Sequence, residues 1–455
     1  MLFAYKLSDC ELRRYRDATE FDSKVSATCT LRRDATHLLS QFRVRIVRIA
    51  HQNGYTIMTT EKPQSKASAS AKDLAAYFLR LGVLAFGGPA AHLAMMEEEV
   101  VRRRHWLTRE KFLDLLGAAN LIPGPTSTET AIYIGYEQAG WLGLLIAGFC
   151  FILPAAVMVT AIAWAYVTYG SLPQVADLFY GIKPVVIAII LQALWGLGRG
   201  AAKSRFLGVC GVVALTASIL GVSPLLAIFG IGSVAGLRKW VGERKLGKNP
   251  RLVSLCFLLL APVLALGVEL GGEHLEPPSS AFGLWSLFLI FLKVGSIVFG
   301  SGYILLAFLQ TDLVARLHWI TNTQLLDAIA IGQITPGPVF TTATFIGYLL
   351  GGPAGALVAT VGIFLPGFIL VTISGPLVPR IRKSPVAGAF LDGVIVASLA
   401  LMAFVSYQLA LAALIGIVTI GLTLLSLVLL IRFHVNSAWL VLLGGAVGVL
   451  RYFLR

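Results

Sequence analysis

The segment FLRLGVLAFGGP at residues 78–89 recurs as FLKVGSIVFGSG at residues 291–302. The offset of 213 residues holds without a gap to a second shared motif, Pro-Gly-Pro, at 123–125 and 336–338. One residue then drops out, and an offset of 212 continues to glycines near the ends of both copies. A register kept over that distance is the signature of a repeat. The sequence therefore predicts a tandem duplication, with one copy at 73–240 and the other at 286–452.

The composition indicates where these two copies reside. Of 455 residues, 57% are hydrophobic and 13% are charged, and the mean hydropathy is +0.80. A soluble domain carries about 25% charged residues, and a disordered chain carries more. Five cysteines without a CxxC pair also exclude a small disulfide-stapled protein. We therefore predict an all-α, polytopic membrane protein.

The net charge of +14 follows the pattern of membrane topology. Basic residues concentrate in short segments between apolar runs, at 199–205, 238–251 and 380–383. Cytoplasmic loops carry such an excess in plasma-membrane proteins. No basic face is interleaved with aromatic residues, so nucleic acid is not a predicted partner. The lipid bilayer is one, and a homodimer is left open.

The rest of the chain divides into a polar tail and a linker. The tail, 1–72, has no apolar period, and translation could instead begin at Met58. The linker, 241–285, contains one apolar run at 252–268, with basic residues before it and acidic residues after it. A linker that crosses the membrane between two copies with even numbers of spans would invert one copy. We therefore expect inverted repeats with broken or re-entrant helices, a common transporter design.

Glycine pairs interrupt the first apolar run of each copy. Such pairs break a helix or let another backbone approach, and tight helix packing is the alternative explanation. The candidate binding residues at these breaks are Gly87, Gly88, Gly300, Ser301 and Gly302.

The second interruption is IPGPTSTET at 122–130 and TPGPVFTTAT at 335–344. Proline at the start of a helix is favourable, and helix N-termini bind anions. Two such ends related by the repeat would form a site for an oxyanion, whereas a plain proline kink is the simpler reading. The candidates are Pro123, Gly124, Pro125, Thr126, Ser127, Thr128, Thr335, Pro336, Gly337, Pro338 and Thr341.

Ionisable residues inside apolar runs are functional candidates. Arg80 and Lys293 occupy equivalent positions, where they would neutralise an anion or extend to the interface. Glu129 suits a helix-cap carboxylate or a coupling proton. His92 is either a packed polar residue or a ligand. We find no motif for a metal, a cofactor, ATP or nucleophilic catalysis, so the sequence predicts a protein that is not an enzyme.

With these motifs the chain resembles the chromate ion transporter family. The resemblance rests on FGGPAAHLAMMEEEV, WLTREKFLDLL and IPGPTSTETAIYIGY in the first copy, and on FGSGYILLAFLQTDLV and ITPGPVFTTATFIGYLLGG in the second. It implies two homologous halves in antiparallel arrangement, and chromate efflux from the bacterial cytoplasm across the inner membrane, with chromate resistance. The residues that it adds to the candidate site are Pro89 and Gln333.

The electrical work of transport favours the same direction. Moving one charge across a membrane is worth about 2.3 kcal/mol per 100 mV, so a dianion that leaves an inside-negative cell gains about 4–5 kcal/mol. Import would need co-transported cations. The prediction is a chromate exporter, and the alternative is a transporter or exchanger of sulfate or another oxyanion on the same scaffold.

Overall fold

The computed structural model describes residues 69–86, 88–170, 172–201, 204–245, 282–298, 304–374 and 384–454. The predicted tail up to residue 68, with Met58, and the linker apolar run lie outside the described residues. So do four candidate glycine-break residues: Gly87, Gly300, Ser301 and Gly302.

The described secondary structure is helical, as predicted. Seven of the described helices belong to the first repeat: α1 Ala71–Leu84, α2 Gly88–Met96, α3 Arg109–Ala119, α4 Thr126–Tyr169, α5 Pro173–Ala201, α6 Arg205–Ile219 and α7 Pro224–Lys245. Seven more belong to the second: α8 Leu284–Ile297, α9 Leu305–Leu309, α10 Asn322–Ile334, α11 Thr342–Ser374, α12 Pro385–Ala413, α13 Ile417–Phe433 and α14 Ser437–Leu454. A π-helical turn follows α2 at Glu97–Arg103 and α9 at Gln310–Arg316, and a 3₁₀ turn, Val339–Thr341, precedes α11. The repeat read from the sequence is thus a repeat of helices.

Equivalent helices begin through equivalent local chemistry. The Thr108 hydroxyl accepts the Lys111 N–H at 3.3 Å at the start of α3, and the Thr321 hydroxyl accepts the Gln324 N–H at 3.1 Å at the start of α10. Threonine in this position satisfies one of the N–H groups that a helix leaves unpaired.

Helices α4 and α11 are each a hairpin of two helical arms. Gly140, at φ 58°, and Gly352, at φ 60°, interrupt the helical geometry after a short first arm. The arms then double back, so that Gly135 contacts the backbone of Gly143, and Gly347 contacts the backbone of Gly355. The prediction of broken helices is confirmed, because α4 and α11 each double back within a segment that is a nearly continuous apolar run in the sequence.

Six of the described helices are long and apolar enough to cross a membrane: α4, α5, α7, α11 with its 3₁₀ turn, α12 and α14. Their outward faces carry exposed large apolar side chains such as Trp141, Phe149 and Leu357. Exposed apolar surface on this scale is what lipid covers. The predicted polytopic membrane protein is therefore confirmed.

The two repeats interlock. Helix α5 of the first repeat packs on α13 and α14 of the second, and α12 packs on α6 and α7 in the equivalent way. Glycines make the closest approaches: Gly181 meets Gly444, and Gly393 meets Gly232. Small residues let helix backbones approach in a membrane, where van der Waals contact holds helices together. The repeats therefore form one compact unit with a shared core.

Replacing Gly135 by alanine is expected to destabilise the protein by about 1–3 kcal/mol, the usual cost of overpacking. The new Cβ would meet the Gly143 carbonyl and the Ala147 methyl group, and a backbone carbonyl within a hairpin cannot turn aside. Thermal unfolding of the detergent-solubilised protein measures the effect. Gly196→Ala in α5 is the matched control, because no atom lies within 4 Å of its Cβ position. Equal unfolding temperatures for both variants would contradict the hairpin packing.

Candidate functional site

The two Pro-Gly-Pro turns meet the ends of α1 and α8 at the junction between the repeats. The Gly124 N–H donates to the Val298 carbonyl at 2.6 Å, and the Gly337 N–H donates to the Ala85 carbonyl at 3.0 Å. Both donors and both acceptors are related by the repeat offset of 213 residues. Each repeat thus gives the other the same bond, as in an isologous two-fold interface. The junction therefore brings each turn against the chain segment next to the other repeat's glycine break.

Glycine is required at the centre of each turn. Gly124 has φ 133° and Gly337 has φ 93°, where side chains other than hydrogen are rarely tolerated. A Cβ on Gly124 would collide with the Glu129 carboxylate, and one on Gly337 would lie 2.8 Å from the Ala155 methyl group. The second proline of each turn then begins the next helical segment, where the Pro125 carbonyl accepts the Glu129 N–H at 3.1 Å.

These helical segments start in the interior of the protein. Every residue from 126 to 135 is buried, and so is every residue from 339 to 347. The first N–H groups of a helix have no partner within the helix and carry its partial positive charge. The fold therefore places two such N-termini inside the protein.

Most hydroxyl groups at the junction are engaged by backbone carbonyls. Thr335 donates to Ile331 at 2.9 Å, and Thr341 donates to Pro338 at 2.8 Å. The Thr126 hydroxyl donates to Asn120 at 3.4 Å. The hydroxyl of Thr128 is buried without a hydrogen-bond partner among the described residues. Of these candidates, Thr128 is the one whose hydroxyl is open to a ligand.

Glu129 is fully buried in the first turn of α4, and neither carboxylate oxygen has a hydrogen-bond partner among the described residues. Its Oε1 lies against Gly124, and its Cγ lies beside Gly367 of α11. It therefore makes none of the hydrogen bonds expected of a helix-cap carboxylate. The equivalent residue in the second repeat is Thr342, whose hydroxyl donates to the Val339 carbonyl at 2.8 Å. The carboxyl group is an asymmetric feature of an otherwise two-fold junction.

His92 ties α2 to the junction. Its Nε2 lies 3.1 Å from the Ala85 carbonyl, the same oxygen that accepts the Gly337 N–H. The ring is buried edge-on against Phe151, and its Nδ1 has no partner among the described residues. The equivalent position holds Leu305, so this contact also occurs on one side alone.

Comparison with known proteins identifies this arrangement. The family model described as chromate transporter matches the chain twice, at residues 72–237 and 285–449. The chain belongs to the chromate transporter family. The two matches coincide with the two repeats, and this member of the family is a multi-pass protein of the bacterial inner membrane.

Curated relatives of this chromate transporter family member align over most of their length. The chain is 32% identical over 392 residues to the chromate transport protein of Cupriavidus metallidurans, covering 84% of this chain and 93% of the relative. It is 34% identical over 331 residues to the probable chromate transport protein of Synechococcus elongatus, covering 72% and 82%. Against the chromate transport protein of Pseudomonas aeruginosa the identity is 33% over 343 residues, covering 74% and 80%. No solved structure matches the chain.

The two candidate cations differ in their surroundings. Lys293 of α8 forms an ion pair with the buried Asp312, at 3.1 Å. Arg80, its equivalent in α1, is exposed and has no acidic partner among the described residues. Gln333 is buried at the end of α10, two residues before Thr335. Direct anion binding by Arg80, Lys293 and Gln333 stays a prediction for this family member.

The structure also reveals a buried ion pair that the sequence analysis missed. Lys183 of α5 lies 3.1 Å from Asp327 of α10, and the Tyr166 hydroxyl donates to the same carboxylate at 2.8 Å. The pair joins one repeat to the other. Its sequence signal was a lysine within the apolar run of α5, which is costly in a membrane unless paired. Its acidic partner lies 144 positions away in the chain, so spacing could not reveal the pair.

Proposed function

We propose that this protein exports chromate from the bacterial cytoplasm and thereby confers resistance to it. The family and the names of three relatives that align over 80–93% of their length support chromate as the substrate. The single structural observation that carries the proposal is the reciprocal pair of Gly124 and Gly337 hydrogen bonds, which holds the turn before each buried helix N-terminus against the other repeat.

Chromate suits this junction chemically. It is a tetrahedral dianion with four acceptor oxygens, and helix N-termini supply N–H donors with partial positive charge. In the proposal, the N-terminal turns at Thr126 to Thr128 and after Pro338 bind these oxygens, and the Thr128 hydroxyl donates a further hydrogen bond. The segments next to the glycine breaks complete the site. The same proposal holds that the substrate moves without chemical change.

We also propose that the two repeats have inverted orientations in the membrane. Along the short arm of α4, Glu129 contacts Gly367 and Tyr133 hydrogen-bonds to Ser374, so this arm runs parallel to the long arm of α11. The short arm of α4 is antiparallel to its own long arm, through Gly135 and Gly143. The equivalent long arms of α4 and α11 are therefore antiparallel. That relation supports a two-fold axis in the plane of the membrane, the arrangement of inverted-repeat transporters.

The membrane potential supplies the driving force in this proposal. A dianion gains about 4–5 kcal/mol on leaving a cell at 100 mV, inside negative. The described parts of α4 and α11 carry two acidic side chains, Glu129 and Glu137, and Glu137 is paired with Lys111 at 3.0 Å. Within the described parts of these two hairpins, Glu129 is therefore the one carboxylate left to bind a cation, whereas import of a dianion against the potential would require more than one.

The test is uptake of radioactive chromate into inside-out membrane vesicles that contain the protein. We expect uptake to rise when the vesicle interior is made positive, and the accumulated chromium to remain hexavalent. Vesicles without the protein are the control, and sulfate serves as a competitor because its shape and charge are similar. Uptake equal to that of the control vesicles would contradict chromate export, and recovery of reduced chromium would contradict simple transport.

A further inference from the structure

Glu129 is a buried acidic side chain beside the proposed binding site for a dianion. Its carboxyl group is fully buried, and it lies against the Gly124 turn, whose neighbouring N–H groups are proposed to bind a dianion. Both of its oxygens lack hydrogen-bond partners among the described residues, and no cation of these residues pairs with it. A buried charge without a partner is strongly disfavoured in a protein interior.

The ionisable groups on the elements packed against α4 leave this carboxyl uncompensated. Helix α11 and its 3₁₀ turn contain no Asp, Glu, Lys, Arg or His. Helix α2 contributes His92, which is hydrogen-bonded to the Ala85 carbonyl, and α10 contributes Asp327, which is paired with Lys183.

On α4 itself, Tyr133 hydrogen-bonds to Ser374 and Glu137 pairs with Lys111. On α1, Tyr77 donates to the Met95 carbonyl. The remaining charged groups of α1 and α3 are exposed: Lys72, Asp73, Arg80, Arg109, Glu110 and Asp114.

We propose that Glu129 takes up a proton on the side where the dianion binds and releases it on the side where the dianion leaves, so that one proton moves with each chromate in the same direction. This inference rests on the proposed function. An ionised Glu129 would repel a dianion at the adjacent turn, whereas a protonated Glu129 would donate a hydrogen bond to it. Because coupling between two bound ligands is reciprocal, the dianion must then favour the proton as much as the proton favours the dianion.

The sign of this coupling excludes exchange of a proton for chromate at this residue. Exchange requires that the two ligands bind in alternation, and here each promotes binding of the other. The transported unit is one dianion plus one proton, with a net charge of −1. Its export is still driven by an inside-negative potential, with half the electrical work available to the bare dianion.

The experiment measures the reversal potential of chromate current in proteoliposomes. For one net charge, a tenfold chromate gradient shifts the reversal potential by about 59 mV, and for two charges by about 30 mV. We expect the one-charge value for the unmodified protein, with a further shift of about 59 mV for each unit of pH gradient.

The variant Glu129→Gln tests whether this side chain carries the transported proton. The carboxamide has the shape of the protonated acid and cannot release a proton. We expect this variant to carry chromate with the two-charge value of about 30 mV and no response to a pH gradient. Glu137→Gln, farther along the same arm and paired with Lys111, is the matched control and should retain the one-charge value. If Glu129→Gln does not fold, Glu129→Ala removes the titratable group without added bulk.

The outcomes separate this inference from the proposed function. A two-charge value in the unmodified protein would overturn the proton inference and leave chromate transport intact. A one-charge value that persists in Glu129→Gln would also overturn it, because the proton would then travel on the anion as hydrogenchromate. Absence of any chromate current in the unmodified protein would instead overturn the proposed function.

Discussion

Replacing Gly124 or Gly337 by alanine is expected to reduce the initial rate of chromate transport at least about tenfold. At φ 133° and 93° a side chain strains the backbone, and such conformations cost about 1–3 kcal/mol each. The strain falls on the residue whose N–H donates a hydrogen bond to a carbonyl of the opposite repeat, at 2.6 Å for Gly124 and 3.0 Å for Gly337. About 1.4 kcal/mol corresponds to a factor of ten in an equilibrium constant. This strain therefore suffices to lower the fraction of protein with both turns correctly placed by about tenfold.

Vesicle uptake of chromate measures this effect, with the amount of folded protein determined by size-exclusion chromatography in detergent. Gly196→Ala is the control, because its Cβ position has no atom within 4 Å and its helix tolerates alanine. Both variants should be impaired, since each turn has glycine at positive φ and each added Cβ meets a close neighbour. Full transport by either variant would mean that the junction is not the site.

Asparagine in place of Asp327 is expected to cause the largest loss of stability, about 3–5 kcal/mol, the range for breaking a buried ion pair by removing one partner. Asp327 is 3% exposed, and the lysine that it neutralises is also largely enclosed, with 17% of its side chain exposed. The change leaves the Lys183 ammonium group without a counter-charge inside the protein. It also replaces the carboxylate that accepts the Tyr166 hydrogen bond.

Thermal unfolding in detergent tests this expectation against a control that the duplication provides. Asp114 is the repeat equivalent of Asp327 and is exposed, so Asp114→Asn should leave the unfolding temperature nearly unchanged. The double variant Lys183→Gln with Asp327→Asn removes both charges and should recover most of the lost stability. If the double variant were no more stable than Asp327→Asn, the loss would not come from the unpaired lysine.

The contrast between Asp114 and Asp327 shows how far a repeat can be used for prediction. The two residues follow similar sequence and occupy equivalent positions within similar helices. One is on the surface and the other is buried, because α3 packs on α4 and on the π-helical turn after α2, whereas α10 packs on α5, α11, α12 and α14. The duplication predicts equivalent helices, and the neighbours that each helix acquires in the bundle decide whether an equivalent side chain is buried.

The paired motifs were predictable because their physics is local. Proline cannot continue a helix, glycine takes conformations with positive φ, and an apolar run can be read directly as a membrane segment. The sequence by itself therefore determined the helical class, the membrane setting, the two repeats and the positions of both Pro-Gly-Pro turns. The resemblance carried by those motifs also indicated the family.

The partners of those motifs depended on contacts between residues far apart in the chain. Only the tertiary structure decided that Gly124 donates a hydrogen bond to Val298, that Gly337 donates one to Ala85, and that Lys293 is neutralised by Asp312. It also decided that Glu129 is buried without a partner among the residues that the structure describes. The physical reason is that a side chain in a membrane protein is satisfied by whichever helix lies beside it. The packing of the whole bundle decides which helices are neighbours. The spacing of residues along the sequence therefore does not reveal these partners.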